Sequence, residues 1–223
     1  MRLRGGLYHQ TQIKLCYNSN RIEGSKLTED QTRYIFETNT INAAPDDTVN
    51  VDDIIETVNH FACFDYMLDS AEKELSHDII KEFHRILKSG TSDSRKGWFR
   101  IGDYKSRPNM VGGIETCPPA KVKNAMDALL DTYNKKNIDF NAIVDFHYQF
   151  EKIHPFQDGN GRVGRIIIFK ECLKNGITPF IIEDEYKLFY YRGLKEFEKT
   201  PGYLTDTCLS SQDKYTELVR YFF

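Results

Sequence analysis

Apolar residues recur every three to four positions along most of this chain. That spacing gathers them on one face of an α-helix, whereas a half-buried strand alternates every two residues. In the segment 75–90 the apolar positions form one stripe, which starts after Ser76 and stops before Gly90. Serine is a favoured first cap of a helix and glycine a favoured stop. The sequence therefore predicts a mostly α fold.

The same spacing predicts further helices along the chain. They cover about 51–68, 118–134, 141–153, 162–174 and a C-terminal stretch around 215–222. Between 98 and 118 the helical spacing is lost, Gly and Pro enter, and two short extended segments, 99–104 and 109–114, surround "KSRP". This pattern predicts a β-hairpin flap over 98–118. Without a repeat or a linker, a single domain over 1–223 is expected.

Charge and cysteine usage narrow the class of protein. Thirty Lys and Arg face 33 Asp and Glu, interspersed and without a basic tract, which argues against a nucleic-acid partner. The longest aliphatic run is far too short for a membrane span and the start lacks an apolar leader, so no membrane association and a cytoplasmic protein are predicted. Five cysteines without a CxxC pair are expected to be reduced thiols.

The stretch "HPFQDGNGR" runs from His154 to Arg162. Its "DG" and "NG" pairs are also typical of hairpin turns, with "RIIIFKECL" as a second strand. The helical spacing of Val163, Ile166, Ile167 and Leu173 argues against that alternative. The stretch is therefore interpreted as a Gly-rich loop that leads into the N-terminus of a helix.

Such a junction presents backbone N–H groups and the positive end of the helix dipole, which suits an anion. Gly159 and Gly161 allow the backbone to approach phosphate oxygens, Asn160 adds an amide, and Arg162 and Arg165 add forked positive charge. The loop therefore predicts a phosphate site.

Two more side chains of the loop extend this hypothesis. Asp158 would repel phosphate by itself, which implies a bridging cation, most simply Mg²⁺. His154 stands at the start of the loop and suits a general base near neutral pH. A partner's hydroxyl could then supply the attacking oxygen. Neither a Walker-type phosphate loop nor a GxSxG or HExxH motif is present.

The stretch "HPFQDGNGRVGR" resembles the signature H-P-F-x-[D/E]-G-N-G-R-x-x-R of the Fic family at every fixed position. Weaker similarity extends over about 50–200. The resemblance implies a Fic-like helical domain that transfers AMP from ATP to a Ser, Thr or Tyr hydroxyl of a target protein, with self-modification as a further outcome. Gly161 favours nucleotidyl transfer, because the phosphate-transferring Doc relatives carry Lys there.

The resemblance also implies a role for each residue of the motif. His154 is the base, Phe156 anchors the loop, and Asp158 holds Mg²⁺ at the α- and β-phosphates. The anion hole is formed by Gly159, Asn160 and Gly161. Arg162 contacts the terminal phosphates and Arg165 the γ-phosphate.

Near the start of the chain, "SNRIEG" resembles the inhibitory [S/T]xxxE[G/N] motif of Fic proteins, within a region of about 12–40. Ser19 and Glu23 lie four apart, on one face of a helix that Gly24 ends, and Thr28 with Gln31 can form a capping box for the next helix. The resemblance implies that Glu23 pairs with Arg165 and so displaces a γ-phosphate. Many relatives continue with Asn where this chain has Ser25.

The flap and an aromatic pair complete the expected site. In Fic relatives the flap docks a target segment, which indicates Met110, Val111, Gly112 and Gly113 here. Tyr191 is expected to contact the nucleotide, although core packing of Tyr190 and Tyr191 is an equal alternative. A de-AMPylating or bifunctional enzyme that uses Glu23 and a non-catalytic nucleotide-binding regulator stay open as alternative functions. The sequence leaves the target protein, the nucleotide preference and the oligomer state open.

Overall fold

The computed structural model describes residues 3–44, 48–135 and 137–223. Within them the chain forms nine α-helices and two short strands, which confirms the mostly α fold with a β-hairpin. The helices are α1 (Leu7–Ile22), α2 (Glu29–Thr38), α3 (Val51–Asp69), α4 (His77–Lys88), α5 (Pro119–Asn134), α6 (Phe140–Ile153), α7 (Asn160–Lys174), α8 (Lys187–Glu196) and α9 (Gly202–Phe222). The strands are β1 (Met110–Val111) and β2 (Ile114–Glu115).

Local sequence signals set several helix ends. Thr28 and Gln31 form the reciprocal capping box at the start of α2, as predicted. The Ser76 side chain accepts from the N–H of Ile79 at the start of α4. At the end of α1, Gly24 has a φ of 103° and its N–H donates to Arg21 O, while the N–H of Ser25 donates to Asn20 O. These two hydrogen bonds are typical of a helix that ends at a glycine in the left-handed conformation.

The predicted extended segment 99–104 is wrong, because those residues form turns and bends. The hairpin lies instead at 110–115, with Met110 opposite Glu115 and Val111 opposite Ile114. Gly112 and Gly113 connect its strands, with φ of 56° and 81°. A two-residue loop with positive φ at both positions matches the twist of paired strands, and glycine adopts it without steric cost.

The described residues group into two compact units. The first comprises residues up to 65 together with 178–223, and its core includes Cys16, Leu27, Ile35 and Phe61. The second comprises 66–177, in which α6 and α4 both pack against α7 and α5 packs against α6. The single domain over 1–223, with a core at about 50–200, stays a prediction.

Helix α7 is the central element of the second unit, since its residues 160–172 are all buried. Gly164 permits this packing. A Cβ added there would lie 2.8 Å from Glu151 Oε1 and 2.9 Å from His147 Cε1 of α6. Any larger residue at this position would require the side chains of Glu151 and His147 to shift.

All five cysteines are free thiols, and four of them are buried. Over the described ranges, each helix is too short or too polar to cross a membrane.

The first unit offers a test of helix packing at Gly193. A Cβ added there in α8 would lie 2.7 Å from Leu204 Cα and 2.8 Å from Leu204 N in α9. Gly193→Ala is therefore expected to lower the free energy of unfolding by about 1–3 kcal/mol, since overpacking outweighs the helix propensity of alanine. Urea unfolding followed by circular dichroism measures it.

Gly202→Ala is the matched control, because the nearest atom that its new Cβ would meet beyond the adjoining helix backbone is Asp206 Oδ2, at 3.9 Å. We expect it to change stability little. Equal stability of the two variants would contradict the packing argument.

Candidate active site

His154 ends α6 in the left-handed conformation, with φ 52° and ψ 63°. Its N–H donates to Phe150 O at 2.9 Å, which closes the helix. Asn39 is the one other non-glycine residue with a positive φ in the described ranges. A side chain in this region stores strain that persists only where the surroundings hold it, and such strain concentrates at functional sites. The imidazole is partly exposed, and its Nδ1 lies 3.9 Å from Glu151 Oε2.

The loop after His154 is held from both sides by Phe156 and Asn160. The Phe156 ring is fully buried and stacks on His84, with centroids 4.0 Å apart and planes 8° apart. Asn160 Nδ2 donates to Phe156 O at 2.9 Å, and Asn160 Oδ1 accepts from the Phe156 N–H at 2.8 Å. Both polar atoms of the Asn160 side chain therefore serve the loop itself, so a phosphate contact by Asn160 would use its backbone N–H.

Gly159 turns the chain into α7, with φ 80° and ψ 6°. Asn160 and Gly161 are the first residues of α7, and the first bond back to this loop runs from the Val163 N–H to Gly159 O at 3.0 Å. The N–H groups ahead of that bond belong to the helix N-terminus, where backbone donors and the helix dipole favour an anion. The predicted anion loop is thus followed directly by a helix N-terminus.

Asp158 carries the negative charge of the loop. Its Oδ2 lies 2.7 Å from Lys88 Nζ and 3.3 Å from Arg162 Nη2. Partial burial acts to raise the pKa of the Asp158 carboxyl, but the charges of Arg162 and Lys88 outweigh it and lower that pKa to about 2. The side chain is 48% exposed, so an ionised carboxylate faces solvent beside two buried cations.

Arg165 follows Arg162 on α7 and is also buried. Burial, together with the Arg165 charge, lowers the pKa of the adjacent His147 to about 3. His147 is therefore neutral at physiological pH. The positive charge of this part of the site belongs to the arginines.

A divalent cation fits the chemistry of Asp158. Within the described residues, no three His, Cys, Asp or Glu side chains group together as metal ligands. Mg²⁺ seldom needs such a group, because one or two carboxylates with water and phosphate oxygens suffice. The low pKa keeps Asp158 in the form that binds a cation.

The sequence profile of the Fic/DOC family matches residues 74–171. The match contains the loop, Asp158 and both arginines. Residues 74–171 are therefore similar to the Fic/DOC family. The flap and helices α4–α7 all fall within or across this matched segment, which is called the Fic domain below.

Curated relatives are named after the same domain. The chain is 27% identical over 191 residues to "Protein adenylyltransferase Fic" of Nematostella vectensis and 26% identical over 199 residues to "Protein adenylyltransferase fic-1" of Caenorhabditis elegans. These alignments cover 81% and 84% of this chain, but 42% and 37% of the relatives. The chain thus spans about two fifths of the length of the curated relatives it matches.

Solved structures share the fold. A Fic domain-containing signaling protein of Bacteroides thetaiotaomicron matches with a TM-score of 0.76 and 24% identity, over 96% of this chain and 82% of that chain. A fragment of Fic-1 from Caenorhabditis elegans matches with a TM-score of 0.78 and 22% identity, over 95% and 64%. At these identities the likeness concerns the fold alone.

The flap of the Fic domain is tied to the active-site loop at its base. Asn109 Nδ2 donates to Phe156 O at 3.1 Å, and the Lys105 N–H donates to Pro155 O at 2.9 Å. Lys105 Nζ in turn donates to Asn109 Oδ1 at 2.7 Å and to Thr116 Oγ1 at 2.5 Å. Both sides of the flap base are thus held beside the Fic loop.

The flap residues predicted to dock a target follow Asn109 directly. Met110 and Val111 form β1 and are 61% and 49% exposed, while Gly112 and Gly113 form the turn. Exposed apolar strand residues of this kind are available to another chain.

Ser19, Glu23 and Tyr191 lie in the first unit, outside the Fic profile. Ser19 is buried in α1, and Glu23 is the exposed C-cap of that helix. The Tyr191 hydroxyl donates to Ile22 O at 3.1 Å, beside Glu23 at the end of α1. Tyr190 is core packing, with 1% exposure. The roles of these residues in inhibition and nucleotide binding stay predictions.

Sequence reasoning missed two lysines of the Fic domain. Lys88 contacts Asp158, and Lys105 supports the flap, yet neither belongs to the recognised motif. A signal for Lys88 was present, because Ile80, His84 and Lys88 are spaced four apart and share the buried face of α4. A polar residue at a position that faces the core departs from the expected apolar pattern, and such a residue is informative about function.

Lys105 gives a pH-dependent test of the flap base. Burial lowers the pKa of its ammonium from 10.5 to about 8. Between those two values the unfolded chain binds a proton that the folded chain has released, so stability rises with pH across this window. Between pH 7.5 and 9.5 we expect the free energy of unfolding to increase more in the wild type than in Lys105→Met. Urea unfolding at each pH measures it.

The difference between the two proteins removes the contributions that other titrating groups make to the pH dependence of stability. Parallel pH profiles of wild type and Lys105→Met would contradict the depressed pKa.

Proposed function

We propose that this protein transfers AMP from ATP to a Ser, Thr or Tyr hydroxyl of a target protein. The observation that carries the proposal is the loop 154–162, which joins a partly exposed His154 to an ionised Asp158 and to a helix N-terminus with buried arginines. The names of the relatives, protein adenylyltransferases, agree with this reaction.

The triphosphate binds at the start of α7. Gly159 and Gly161 leave room for phosphate oxygens near the backbone N–H groups, and Arg162 and Arg165 supply buried positive charge. Two buried guanidinium groups beside a helix N-terminus concentrate positive charge there, which supports a site for a polyanion.

The Asp158 carboxylate would hold Mg²⁺ together with phosphate oxygens and water. When bound, Mg²⁺ supplies positive charge that stabilises the transferring phosphoryl group and the departing pyrophosphate. The rest of the chemistry falls to residues of the chain.

His154 takes the proton of the attacking hydroxyl. Its Nδ1 side faces Glu151, so Nε2 is the atom that accepts the proton. The hydroxyl oxygen forms a bond to the α-phosphorus, the bond from that phosphorus to the bridging oxygen breaks, and pyrophosphate leaves. AMP stays on the target and the proton stays on His154 until water removes it.

The target segment adds to the flap as an extended chain. The backbone of β1 and β2 supplies hydrogen bonds that fix register, and the exposed Met110 and Val111 supply apolar contact. The same mode permits self-modification of a second copy.

We further propose a cytoplasmic location, since five free cysteines suit a reducing compartment.

We also propose that Glu23 inhibits the enzyme by competing with the γ-phosphate for Arg165. The likeness of "SNRIEG" to the inhibitory motif of Fic proteins supports this role. A carboxylate at the C-cap of α1 is unfavourable to the helix dipole, although the Glu23 N–H donates to Arg21 O and so helps to close that helix.

The role of His154 is tested by His154→Ala. We expect the rate of transfer from α-labelled ATP to fall by about 10²–10⁴-fold, because the general base is lost. Binding of a fluorescent ATP analogue should be retained, since the anion site is intact. His77→Ala, in which a histidine paired with Asp127 is removed from the same unit, serves as control. Transfer within a few-fold of wild type would rule out the assigned role.

Inhibition is tested by Glu23→Gly. We expect incorporation of α-label into a lysate, or into the protein itself, to rise on the order of a hundredfold, because a γ-phosphate held by Arg165 aligns the α-phosphoryl for attack. Glu23→Gly combined with His154→Ala should incorporate none. Glu29→Gly, at the first turn of α2, controls for loss of an acidic side chain.

No gain of label over wild type in a folded Glu23→Gly protein would overturn the inhibitory role. Loss of AMP release from modified protein in the same variant would assign Glu23 to the orientation of water in hydrolytic removal of AMP.

A further inference from the structure

Lys88 is the last residue of α4, and its side chain is 2% exposed. Its ammonium lies between two carboxylates, 2.7 Å from Asp158 Oδ2 and 3.1 Å from Asp93 Oδ2. Asp93 is held in addition by Lys96, at 2.6 Å. A buried ammonium requires such pairing, because desolvation of an unpaired charge is costly.

The position of Lys88 is fixed by its stem as well as by its charge. The stem packs against the loop, with Cδ 3.5 Å from the place where a Cβ on Gly159 would lie. Its carbonyl accepts from Thr91 Oγ1 at 2.9 Å. The ammonium is therefore a fixed point beside Asp158 rather than a mobile surface charge.

Lys88 and Arg162 both contact the same oxygen of Asp158, Oδ2. A carboxylate whose Oδ2 is held by two fixed cations has a set orientation, so it loses little rotational freedom when it binds a metal cation. Ligating carboxylates in metal sites are commonly oriented by such outer partners, whose loss costs about 10–100-fold in metal affinity or activity.

We propose that Lys88, anchored by Asp93, is a positioning residue that orients Asp158 toward the divalent cation of the Mg²⁺–nucleotide complex. The inference deepens the proposed function and rests on its assignment of Asp158. Lys88 acts through Asp158 and does not touch the substrate. A salt bridge that served stability alone would alter unfolding but leave the cation requirement unchanged.

The test measures the Mg²⁺ concentration that half-saturates binding of a fluorescent ATP analogue. Lys88→Met should raise that concentration by about 10–100-fold. Lys88→Arg should recover part of the loss, because it restores the charge. Lys81→Met is the matched control, since Lys81 lies on the same helix and pairs with Asp103 instead. It should leave the Mg²⁺ response unchanged.

A second arm separates positioning from direct contact with phosphate. In an Asp158→Ala background, Lys88→Met should cause no further change in the Mg²⁺ response. An equal loss in both backgrounds would overturn the inference, because Lys88 would then act on the nucleotide itself. An unchanged half-saturating concentration in folded Lys88→Met would overturn it as well.

Asp93→Asn tests the same inference where Lys88→Met does not fold. It weakens the anchor of Lys88 and should shift the Mg²⁺ requirement in the same direction by a smaller factor, and no shift would count against the inference. If Asp158→Ala itself binds Mg²⁺ and the analogue as the wild type does, the metal assignment of the proposed function fails, and the role of Lys88 fails with it. If Asp158→Ala weakens the Mg²⁺ response as expected but Lys88→Met does not, the metal assignment stands and only the role of Lys88 is wrong.

Discussion

The paired hydrogen bonds between the Asn160 side chain and the Phe156 backbone are the constraint on which the rest of the site depends. They close the loop into a fixed turn, while the Phe156 ring anchors that turn in the core against His84. With both ends held, His154 can keep a left-handed backbone that a histidine rarely adopts in isolation. The turn thus places an imidazole and a helix N-terminus on the same short loop.

Positive charge is concentrated around this turn. Lys88, Arg162 and Arg165 are all buried, and the Asp158 carboxylate contacts the first two. Burial of several cations is unfavourable because they lose hydration. An ion pair with a partly exposed carboxylate offsets little of that free energy. Under the proposed function, the triphosphate would bind where this positive charge is gathered, at the start of α7.

The flap is exposed at its strands but held at its base. Its strands are only two residues long and are exposed, so they gain little from packing. Lys105 and Asn109 instead tie its base to the carbonyls of Pro155 and Phe156. A segment that binds at this hairpin therefore meets a surface whose register is already set relative to His154.

The sequence by itself determined helices α3–α7, several helix caps and the motif of the loop, because those depend on residues close together in the chain. Periodic apolar stripes located α4–α7, and Thr28 with Gln31 predicted their capping box. The hairpin was predicted in the right region, but neither predicted strand is correct. Residues 99–104 form turns and bends, and 109–114, predicted as one strand, contains β1 and the turn to β2. The two-glycine turn at Gly112 and Gly113 was the stronger local signal.

Tertiary structure alone decided what surrounds the motif. Lys88 reaches Asp158 across 70 positions of sequence because α4 packs against α7, and no spacing rule relates those two residues. The use of the Asn160 amide within the loop, the steric need for Gly164 and the depressed pKa of Lys105 likewise follow from burial that many distant residues create together. Local pattern can name the side chains of a site, but only packing decides which of their atoms remain available for chemistry.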